Sequence, residues 1–244
     1  MFRDTHTVIT GAASGIGAAA AELISEQGGQ VTLLDIDAAA GNTVANRLQQ
    51  SFNQLDVSDL NAWQSFADQL AKPIDYLYLN AGIQIAPPDA PMSEYSFENM
   101  QLDRYRKMMG VNVDGVVFGL LAMLPKVKSG GAIVVTSSLA GITPYAVDPL
   151  YAMSKHAVSG LVRSLADSCA QRDITINAIC PGGVDTHIIP EAQRTEGAVF
   201  MEPKDIASEV LTLFKGTENG KTWAKVSASK PAWIIRAPGD KGQR

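Results

Sequence analysis

Short apolar runs rich in β-branched residues alternate along this chain with longer segments in which apolar residues recur at helical spacing. The runs that read as strands are residues 7–10, 30–35, 52–57, 74–79, 132–137, 174–179 and 222–227. Strands that alternate with helices are typical of a parallel sheet covered by helices on both faces. At 244 residues, 46% of them hydrophobic, the chain can bury the core of one such domain. The sequence therefore predicts a single α/β domain over residues 1–244, with a doubly wound, seven-stranded parallel sheet.

A glycine-rich turn separates the first predicted strand from an alanine-rich helix. Gly11, Gly15 and Gly17 have the spacing G-x-x-x-G-x-G. Glycines at such a turn allow a tight bend and a close approach of the backbone to a phosphate, while the helix N-terminus directs N–H groups at the anion. The turn predicts a dinucleotide site, although a purely structural turn satisfies the same pattern.

Polar residues follow the second and fourth predicted strands. The second strand ends at Asp35, and the fourth is followed by Asn80-Ala81-Gly82. In open α/β sheets, ligands bind beyond the carboxyl ends of the strands. Asp35 stands where a carboxylate accepts hydrogen bonds from both hydroxyls of an adenosine ribose, which favours NAD because NADP carries a phosphate there. The alternative is that Asp35 or Asp37 caps the next helix.

Tyr151 and Lys155 stand four residues apart in a predicted helix, and Ser138 follows the fifth predicted strand. The i, i+4 spacing puts the ammonium and the phenol on one helix face. An unperturbed tyrosine has a pKa of about 10, and a neighbouring cation stabilises its phenolate. We therefore interpret Tyr151 as an acid, with Ser138 holding a substrate oxygen against it. An ordinary helix with an amphipathic tyrosine and a solvated lysine is the alternative.

Composition argues against several other classes of function. The net charge is -5, and no basic stripe with interleaved aromatic residues is present, which argues against a nucleic-acid partner. Three scattered histidines form no metal-ligand cluster. Cys169 and Cys180 lie in no C-x-x-C motif, and no signal peptide or run of transmembrane length is evident. We expect a cytoplasmic protein that binds neither a metal nor a membrane.

The motifs follow one another in a specific order. They are Thr10-Gly11 through Gly17, Asp56-Val57, Asn80-Ala81-Gly82, Asn112, Ser138, Tyr151 with Lys155, and Pro181-Gly182. From about residue 5 to residue 203, this set resembles the short-chain dehydrogenase/reductase family, so that the predicted domain is a Rossmann fold. The resemblance implies a hydride transfer in which Tyr151 is the general acid/base and Ser138 orients the substrate oxygen. It also implies that Lys155 lowers the pKa of Tyr151 while binding the nicotinamide ribose, and that Asn112 holds a water in the proton relay.

The same resemblance implies a set of cofactor contacts. Asp56 and Val57 are expected to contact adenine, and residues 184–186 to reach the nicotinamide carboxamide. The full set comprises Gly11, Ser14, Gly15, Ile16, Gly17, Asp35, Ile36, Asp56, Val57, Asn80, Ala81, Gly82, Tyr151, Lys155, Pro181, Gly182, Val184 and Thr186.

The C-terminal part departs from the commonest family pattern. Residues 219–226 are similar to the tails of the insect alcohol dehydrogenases and of 15-hydroxyprostaglandin dehydrogenase, which are NAD-dependent alcohol oxidisers. Residues 185–202 correspond to the substrate lid of the family. Residues 228–244 are interpreted as a C-terminal tail, whose basic end at 241–244 we expect to be frayed.

Together these features predict an NAD(H)-dependent enzyme that interconverts a secondary alcohol and its ketone. The residues expected around the pocket are mostly apolar, which favours a small or medium-sized hydrophobic substrate. An NAD(H)-binding regulatory protein is the alternative, whereas a nucleotide-sugar epimerase is disfavoured because that group typically has a larger C-terminal domain. Apolar positions on the helices that carry Asn112 and Tyr151 predict a homodimer or homotetramer.

Overall fold

One eight-stranded sheet organises the computed structural model, which describes residues 2–236. The strands are β1 (His6–Thr10), β2 (Gln30–Asp35), β3 (Ser51–Gln54), β4 (Ile74–Leu79), β5 (Val127–Thr136), β6 (Thr175–Pro181), β7 (Thr222–Lys225) and β8 (Trp233–Ile235). Their spatial order is β3-β2-β1-β4-β5-β6-β7-β8. All neighbours pair in parallel except β7 and β8, which are antiparallel.

Seven α-helices within residues 2–236 cover the two faces of the sheet. They are α1 (Gly15–Glu26), α2 (Ala38–Leu48), α3 (Leu60–Gln69), α4 (Leu102–Met109), α5 (Gly115–Met123), α6 (Pro149–Ala170) and α7 (Pro203–Lys215). Successive side chains of a strand point to opposite faces. Ile133 and Val135 of β5 therefore pack with α3, α5 and α6, whereas Val134 packs with α1 and α7. Burial on both faces explains why the strands read as apolar runs.

The strand order reverses at β1, whose neighbours are β2 on one side and β4 on the other. Connections leave such a switch point in opposite directions, so that a crevice opens beyond the carboxyl ends of the strands. The glycine turn after β1, Asp35 at the end of β2 and Asn80 after β4 meet at this edge. The predicted doubly wound α/β architecture is confirmed.

The predicted number of strands is wrong by one. The sequence predicts seven parallel strands, whereas an eighth, antiparallel strand lies within the predicted C-terminal tail and pairs Ile235 with Thr222. β8 has only three residues, too few to produce a period-two pattern in the sequence. The rest of the predicted tail, residues 237–244 with its basic end, lies outside the described residues.

The predicted helix over residues 104–124 is interrupted. A π turn, Gly110–Asp114, separates α4 from α5. The helical stretch Leu102–Lys126 has a window of mean hydropathy 1.6 and is long and apolar enough to cross a membrane, so the expectation that no run has this length is wrong. However, 44% of that window is buried in the fold, and the central helix of a globular domain passes the same test.

Candidate active site

The glycine turn is packed too closely for larger residues. Gly11 and Gly15 have φ angles of +64° and +51°, in the left-handed region that favours glycine. A Cβ atom on Gly17 would lie 2.1 Å from the carbonyl oxygen of Gly11, so α1 is held directly against the end of β1. Ser14 caps α1 without a side-chain hydrogen bond, which leaves the first N–H groups of the helix for an anion. The turn therefore fits the phosphates of a dinucleotide.

Asp35 presents its carboxylate to the glycine turn. Its Oδ2 accepts a hydrogen bond from the Ala13 N–H (2.9 Å), and its Oδ1 accepts one from the Asp37 N–H (3.0 Å). The residue that caps α2 is Asp37, whose Oδ1 accepts hydrogen bonds from the N–H groups of Ala39 and Ala40, both at 3.0 Å. The capping role that the sequence allowed for Asp35 or Asp37 thus belongs to Asp37.

Asn80 ties three strand ends together. Its backbone N–H donates to Thr10 Oγ1 (2.9 Å), and its Nδ2 donates to the carbonyl oxygens of Thr10 (3.2 Å) and Gly11 (3.3 Å). Its Oδ1 bonds with Thr136 Oγ1 at 3.1 Å. The Asn80 side chain therefore fixes the ends of β1, β4 and β5 around the crevice.

The first two turns of α6 carry Tyr151 and Lys155. Asp148 caps this helix through a hydrogen bond that its Oδ1 accepts from the Tyr151 N–H (2.9 Å), and Pro149 takes the first helical position. Lys155 Nζ lies 5.7 Å from the centroid of the Tyr151 ring and donates to the Thr136 carbonyl oxygen at 3.0 Å. The predicted shared face for the phenol and the ammonium is present.

Burial governs the acid–base properties of this pair. It raises the pKa of Tyr151 above its ordinary value, and the side chain of Ser138 acts against that shift. Burial also lowers the pKa of Lys155 to about 8, because a buried cation loses hydration. The sequence led us to expect that Lys155 lowers the pKa of Tyr151. In the structure, desolvation by burial is the largest effect on the phenol, so the pKa of Tyr151 is raised overall.

Ser138 lies two residues after the end of β5 and caps a short 3-10 turn, Leu139–Gly141. Its Oγ accepts a hydrogen bond from the Ala140 N–H at 3.1 Å. A hydroxyl that accepts a hydrogen bond keeps its own proton for another acceptor. Ser138 can therefore donate to an oxygen atom in the cleft beside Tyr151.

Asn112 is completely buried within the π turn. Its Oδ1 accepts a hydrogen bond from the Ile83 N–H (2.8 Å), and its Nδ2 donates to the Ile83 carbonyl oxygen (2.8 Å) and to Ser154 Oγ (3.0 Å). These bonds hold the loop after β4 against α6. The water-holding role that the resemblance implies for Asn112 stays a prediction.

A cleft of about 1060 Å³ joins these groups. Among the site residues that the sequence predicts, Gly17 and Asn112 support the cleft without lining it. The predicted residues that line it are Gly11, Ser14, Gly15, Ile16, Asp35, Ile36, Asp56, Val57, Asn80, Ala81, Gly82, Ser138, Tyr151, Lys155, Pro181, Gly182, Val184 and Thr186. Within residues 2–236, no three histidine, cysteine or acidic side chains are grouped to hold a metal ion.

Residues 185–202, the segment predicted to be a lid, lie against the loop that follows β4. The Glu191 N–H donates to the Pro88 carbonyl oxygen at 2.8 Å. Within the segment, Arg194 Nη1 and Asp185 Oδ1 form an ion pair at 2.6 Å. Because this pair is largely exposed, it contributes little stability, and the backbone contact is the firmer tie.

Several residues of the cleft were not identified from the sequence. Thr136 accepts the Lys155 hydrogen bond through its carbonyl, and Gln84, Tyr145 and Gln193 line the part of the cleft near the lid. Asp148 had a usable signal, since an aspartate before a proline is typical of a helix start. Gln84, Tyr145 and Gln193 lie in or beside irregular segments, whose path the sequence does not predict.

A parallel sheet with a glycine turn at its switch point defines the Rossmann class of α/β proteins, which binds nicotinamide dinucleotides. The model of the family described as short chain dehydrogenase matches residues 5–197. The chain therefore belongs to the short-chain dehydrogenase/reductase family, a family of oxidoreductases, as its motifs predicted.

Similar proteins include dehydrogenases of different organisms. The short-chain dehydrogenase reductase ATA1 of Arabidopsis thaliana is 35% identical over 220 residues, which cover 86% of this chain and 78% of that protein. Cyclohexanol dehydrogenase of Acinetobacter sp. (strain SE19) is 30% identical over 87% of this chain and 88% of its own length. The 15-hydroxyprostaglandin dehydrogenase (NAD(+)) of Homo sapiens is 31% identical over 85% of this chain and 79% of its own length.

Solved structures with this fold contain either nicotinamide dinucleotide. A short chain dehydrogenase from Burkholderia cenocepacia J2315 in complex with NADP has a TM-score of 0.80 and 27% identity, covering 92% of this chain and 96% of that chain. A 3-oxoacyl-(acyl-carrier protein) reductase from Brucella melitensis with bound NAD has a TM-score of 0.79 and 28% identity, covering 92% and 90%. Fold similarity therefore does not decide between NAD and NADP.

Proposed function

We propose that this protein is an NAD(H)-dependent oxidoreductase that interconverts a secondary alcohol and its ketone, with Tyr151 as the general acid/base. The observation that carries the proposal is the position of Tyr151, whose side chain lines one cleft together with Ser138, Lys155 and the glycine turn. A protein that only binds a dinucleotide does not need a proton donor at this place. The name of the Acinetobacter relative, cyclohexanol dehydrogenase, supports a carbinol substrate.

The protein's own groups bind the substrate oxygen and move its proton. A bound nicotinamide dinucleotide supplies the hydride acceptor or donor. Tyr151 takes the proton of the substrate hydroxyl at Oη during oxidation and gives one to the ketone oxygen during reduction. Because burial raises the pKa of Tyr151, the neutral phenol that protonates a ketone is the resting form at neutral pH. Ser138 orients the substrate oxygen through its hydroxyl proton.

Lys155 acts on Tyr151 by its charge. Its pKa of about 8 keeps the ammonium protonated at pH 7, and its Nζ lies 5.7 Å from the centroid of the phenol ring. Tyr151 must be a phenolate before it takes the substrate proton in oxidation, and it is left as a phenolate after it protonates the ketone in reduction; the Lys155 charge stabilises this anion in both directions. The hydrogen bond from Nζ to the Thr136 carbonyl oxygen keeps the ammonium in place meanwhile.

The choice of NAD is supported by the carboxylate of Asp35. Hydrogen bonds from the Ala13 and Asp37 N–H groups fix this carboxylate at the crevice, where it suits two ribose hydroxyls. The neighbouring positions hold Ala13, Ser14, Ile36 and Asp37, none of which is basic. A 2′-phosphate would therefore meet a negative charge without a cation from these positions to offset it.

The proposed substrate is a small or medium-sized, mainly hydrophobic alcohol. The loop after β4 and the segment predicted to be a lid supply apolar walls to the cleft. The residues concerned are Ile83, Ile85, Ala86, Pro87, Ile188 and Ile189. Apolar walls with few polar groups favour such ligands over phosphorylated ones.

We further propose that the protein is a cytoplasmic homodimer or homotetramer. The cytoplasm is supported by Cys169 and Cys180, which are both buried and unbridged. Self-association is supported by apolar side chains on the outer surfaces of α5 and α6, where Leu121 is 64% and Met153 is 42% exposed.

The proposed function is tested by replacing Tyr151 with Phe. This change removes the proton donor and keeps the ring, so kcat/KM for secondary alcohols should fall by at least about 100-fold while NADH still binds. Turnover is followed by NADH absorbance over a panel of alcohols and ketones, and NADH binding by fluorescence. Tyr76→Phe is the control, because Tyr76 packs with Phe214 on the far face of the sheet.

Turnover that survives in the Tyr151→Phe variant would contradict the proposed mechanism. A natural protein that binds NADH tightly but turns over no member of the panel would favour the regulatory alternative.

A further inference from the structure

A second polar group of side chains lies in the cleft beside Tyr151. It consists of Gln84, Tyr145 and Gln193, which we call the Gln84 cluster. The Tyr145 ring meets that of Tyr151 edge-on, with ring centroids 6.2 Å apart and an interplanar angle of 67°. Tyr145 Oη accepts a hydrogen bond from Gln193 Nε2 at 3.0 Å. The cluster therefore borders the place where the reacting oxygen must lie in the proposed reaction.

The side-chain oxygen of Gln84 is a hydrogen-bond acceptor to which no group donates within residues 2–236. The residue is 9% exposed, and its Nε2 donates to the Ile188 carbonyl oxygen at 2.9 Å, which fixes the orientation of the amide. Its Oε1 is buried without a hydrogen-bond partner in the part of the chain that the structure describes. Within residues 2–236, the other buried side-chain atoms without a hydrogen-bond partner belong to Thr7, Thr175 and Trp223, which do not line the cleft.

A buried acceptor without a donor carries an unrecovered desolvation cost, so a ligand that brings an O–H or N–H to it gains affinity. Tyr145 can join such a contact. Burial raises its pKa, and the amides of Gln193 and Gln84 oppose that shift, so the phenol is neutral and keeps its proton. Its hydroxyl accepts the bond from Gln193 Nε2, and its own hydrogen atom makes only a long contact with Gln193 Oε1 (3.4 Å), which it can exchange for a shorter bond to a ligand.

The cluster selects against an anionic group. Its three side chains carry no formal charge, and its surroundings include Ile85, Ile188 and other apolar residues. A carboxylate placed there would turn its oxygens toward the lone pairs of Gln84 Oε1 and would lose hydration without a counter-ion from the cluster. A neutral hydroxyl satisfies both Gln84 Oε1 and Tyr145 Oη.

We infer that the substrate carries, besides its reacting carbinol, a second neutral hydroxyl that donates to Gln84 Oε1 and bonds with Tyr145 Oη. The substrate class is then a diol, or the corresponding hydroxyketone, whose two oxygens are spaced by a small ring or a short chain. This inference rests on the proposed function, since it takes Tyr151 as the reacting end of the cleft. Gln84 and Tyr145 are specificity-determining residues in this arrangement.

The test is calorimetric titration of the enzyme saturated with NADH, which cannot reduce an alcohol, so that binding is measured without turnover. The ligands are trans-1,4-cyclohexanediol, cyclohexanol, 4-methoxycyclohexanol and 4-hydroxycyclohexanecarboxylate. The diol should bind at least about tenfold more tightly than the other three, which is more than the statistical advantage of its two equivalent hydroxyls. The ligand 4-methoxycyclohexanol keeps the second oxygen and lacks its hydrogen atom, so its comparison with the diol tests the contribution of that hydrogen-bond donor.

Two variants assign the preference to the cluster. Gln84→Leu removes the acceptor at similar size, and Tyr145→Phe removes the hydroxyl while leaving the Gln84–Ile188 contact in place. Each should bring the ratio of the cyclohexanol and diol Kd values to near one. A general loosening of the cleft would weaken both ligands alike and leave the ratio unchanged. Gln64→Leu, at an exposed position of α3, is the matched control.

Equal Kd values for the diol and cyclohexanol in the natural protein would overturn the inference. So would a diol preference that survives in Gln84→Leu, tighter binding of the carboxylate, or failure of every alcohol to bind. Failure of the proposed function is a separate result: the diol would then bind preferentially to the NADH complex, yet no alcohol would be oxidised when NAD is supplied.

Discussion

Lys155 holds an ammonium group where it is 2% exposed, and burial lowers its pKa to about 8. Its ordinary pKa of 10.5 applies in the unfolded chain. Between these two values the unfolded chain binds a proton that the folded protein does not, so the free energy of unfolding rises with pH across that window. Below pH 8 the buried charge exerts its full destabilising effect. The residue that supports Tyr151 therefore lowers the stability of the fold at neutral pH.

Lys155→Met should consequently stabilise the protein at pH 7 while abolishing turnover. One unit of pKa shift corresponds to about 1.4 kcal/mol, so a shift from 10.5 to about 8 should give a gain in the free energy of unfolding on the order of 3 kcal/mol. The gain should shrink as the pH rises from 8 toward 10.5. Urea unfolding at pH 7 and pH 10 measures it, with Lys204→Met at an exposed position as the control. A variant that is less stable than the natural protein at pH 7 would contradict this prediction.

Asp35 is expected to decide between the two cofactors by its charge. Each 1.4 kcal/mol of repulsion is about a factor of ten, so a few kcal/mol against a 2′-phosphate should give NAD an advantage of at least ~100-fold in kcat/KM. The double variant Asp35→Ala, Ile36→Arg should narrow or reverse this ratio, which initial rates with NAD and NADP measure.

Asp37→Ala is the matched control for Asp35. Because Asp37 caps α2, its loss should lower the free energy of unfolding by about 1 kcal/mol and leave the cofactor ratio unchanged. Comparable efficiency of the natural protein with NAD and NADP would show that Asp35 does not meet the ribose.

The strands that the sequence predicted best are those buried on both faces. Each of them forms an apolar run that ends in a polar or glycine-rich turn, which explains why the ligand-binding edge could also be predicted. β8 and the π turn at Gly110–Asp114 escaped prediction. β8 forms by pairing with β7, and this pairing leaves no local pattern in the sequence of β8. The π turn contains the poor helix formers Gly110 and Asn112, but such residues do not by themselves specify a π turn. The side chain of Asn112 finds its partners in distant segments.

The residues of the site likewise fall into those that local sequence patterns predict and those that they do not. Ser138, Tyr151 and Asp35 lie at strand or helix ends that local patterns fix, and the sequence was sufficient to identify them. Gln84 and Tyr145 reach the cleft from irregular segments, and only the folded arrangement reveals the unpaired oxygen of Gln84. Loop paths depend on tertiary contacts, for which a single sequence gives no local signal.

The start of α6 depends on Asp148 more than most helices depend on their caps. Asp148 Oδ1 accepts a hydrogen bond from the Tyr151 N–H (2.9 Å), and its Oδ2 accepts one from the Ile85 N–H (3.0 Å), both in buried surroundings. Asp148→Ala would leave both N–H groups without a partner, so the free energy of unfolding should fall by about 2–3 kcal/mol.

Asp59→Ala removes an exposed cap, that of α3, and should cost only about 1 kcal/mol in the same urea experiment. Activity should fall further in Asp148→Ala than in Asp59→Ala, because Tyr151 and the loop at Ile85 both lose a fixed contact. Equal losses of stability in the two variants would argue that Asp148 is an ordinary cap.

Self-association is predicted from the outer surfaces of α5 and α6. Leu121 is 64% and Met153 is 42% exposed, and the nearby Phe118, Leu161 and Leu165 are only partly covered by the core. A two-fold interface on these helices would bury them. Leu121→Glu should therefore reduce the mass that light scattering reports at micromolar concentration.

Val199→Glu is the control for this measurement, since Val199 is 93% exposed but lies in residues 185–202, away from α5 and α6. It should leave the mass of the dimer or tetramer unchanged. A natural protein that is monomeric at micromolar concentration would contradict the proposed interface.

The order of the strands also bears on how the chain is completed as it leaves the ribosome. β2 and β3 add in turn to one side of β1, and β4 to β8 add one after another to its other side. No strand has to enter between two that are already paired, so every newly made strand meets an open edge formed by earlier residues. Domains form from the N-terminal side during synthesis, and this topology lets the sheet grow in step with translation. Among the strands of residues 2–236, β8 is antiparallel and arrives last, and it covers the edge of β7.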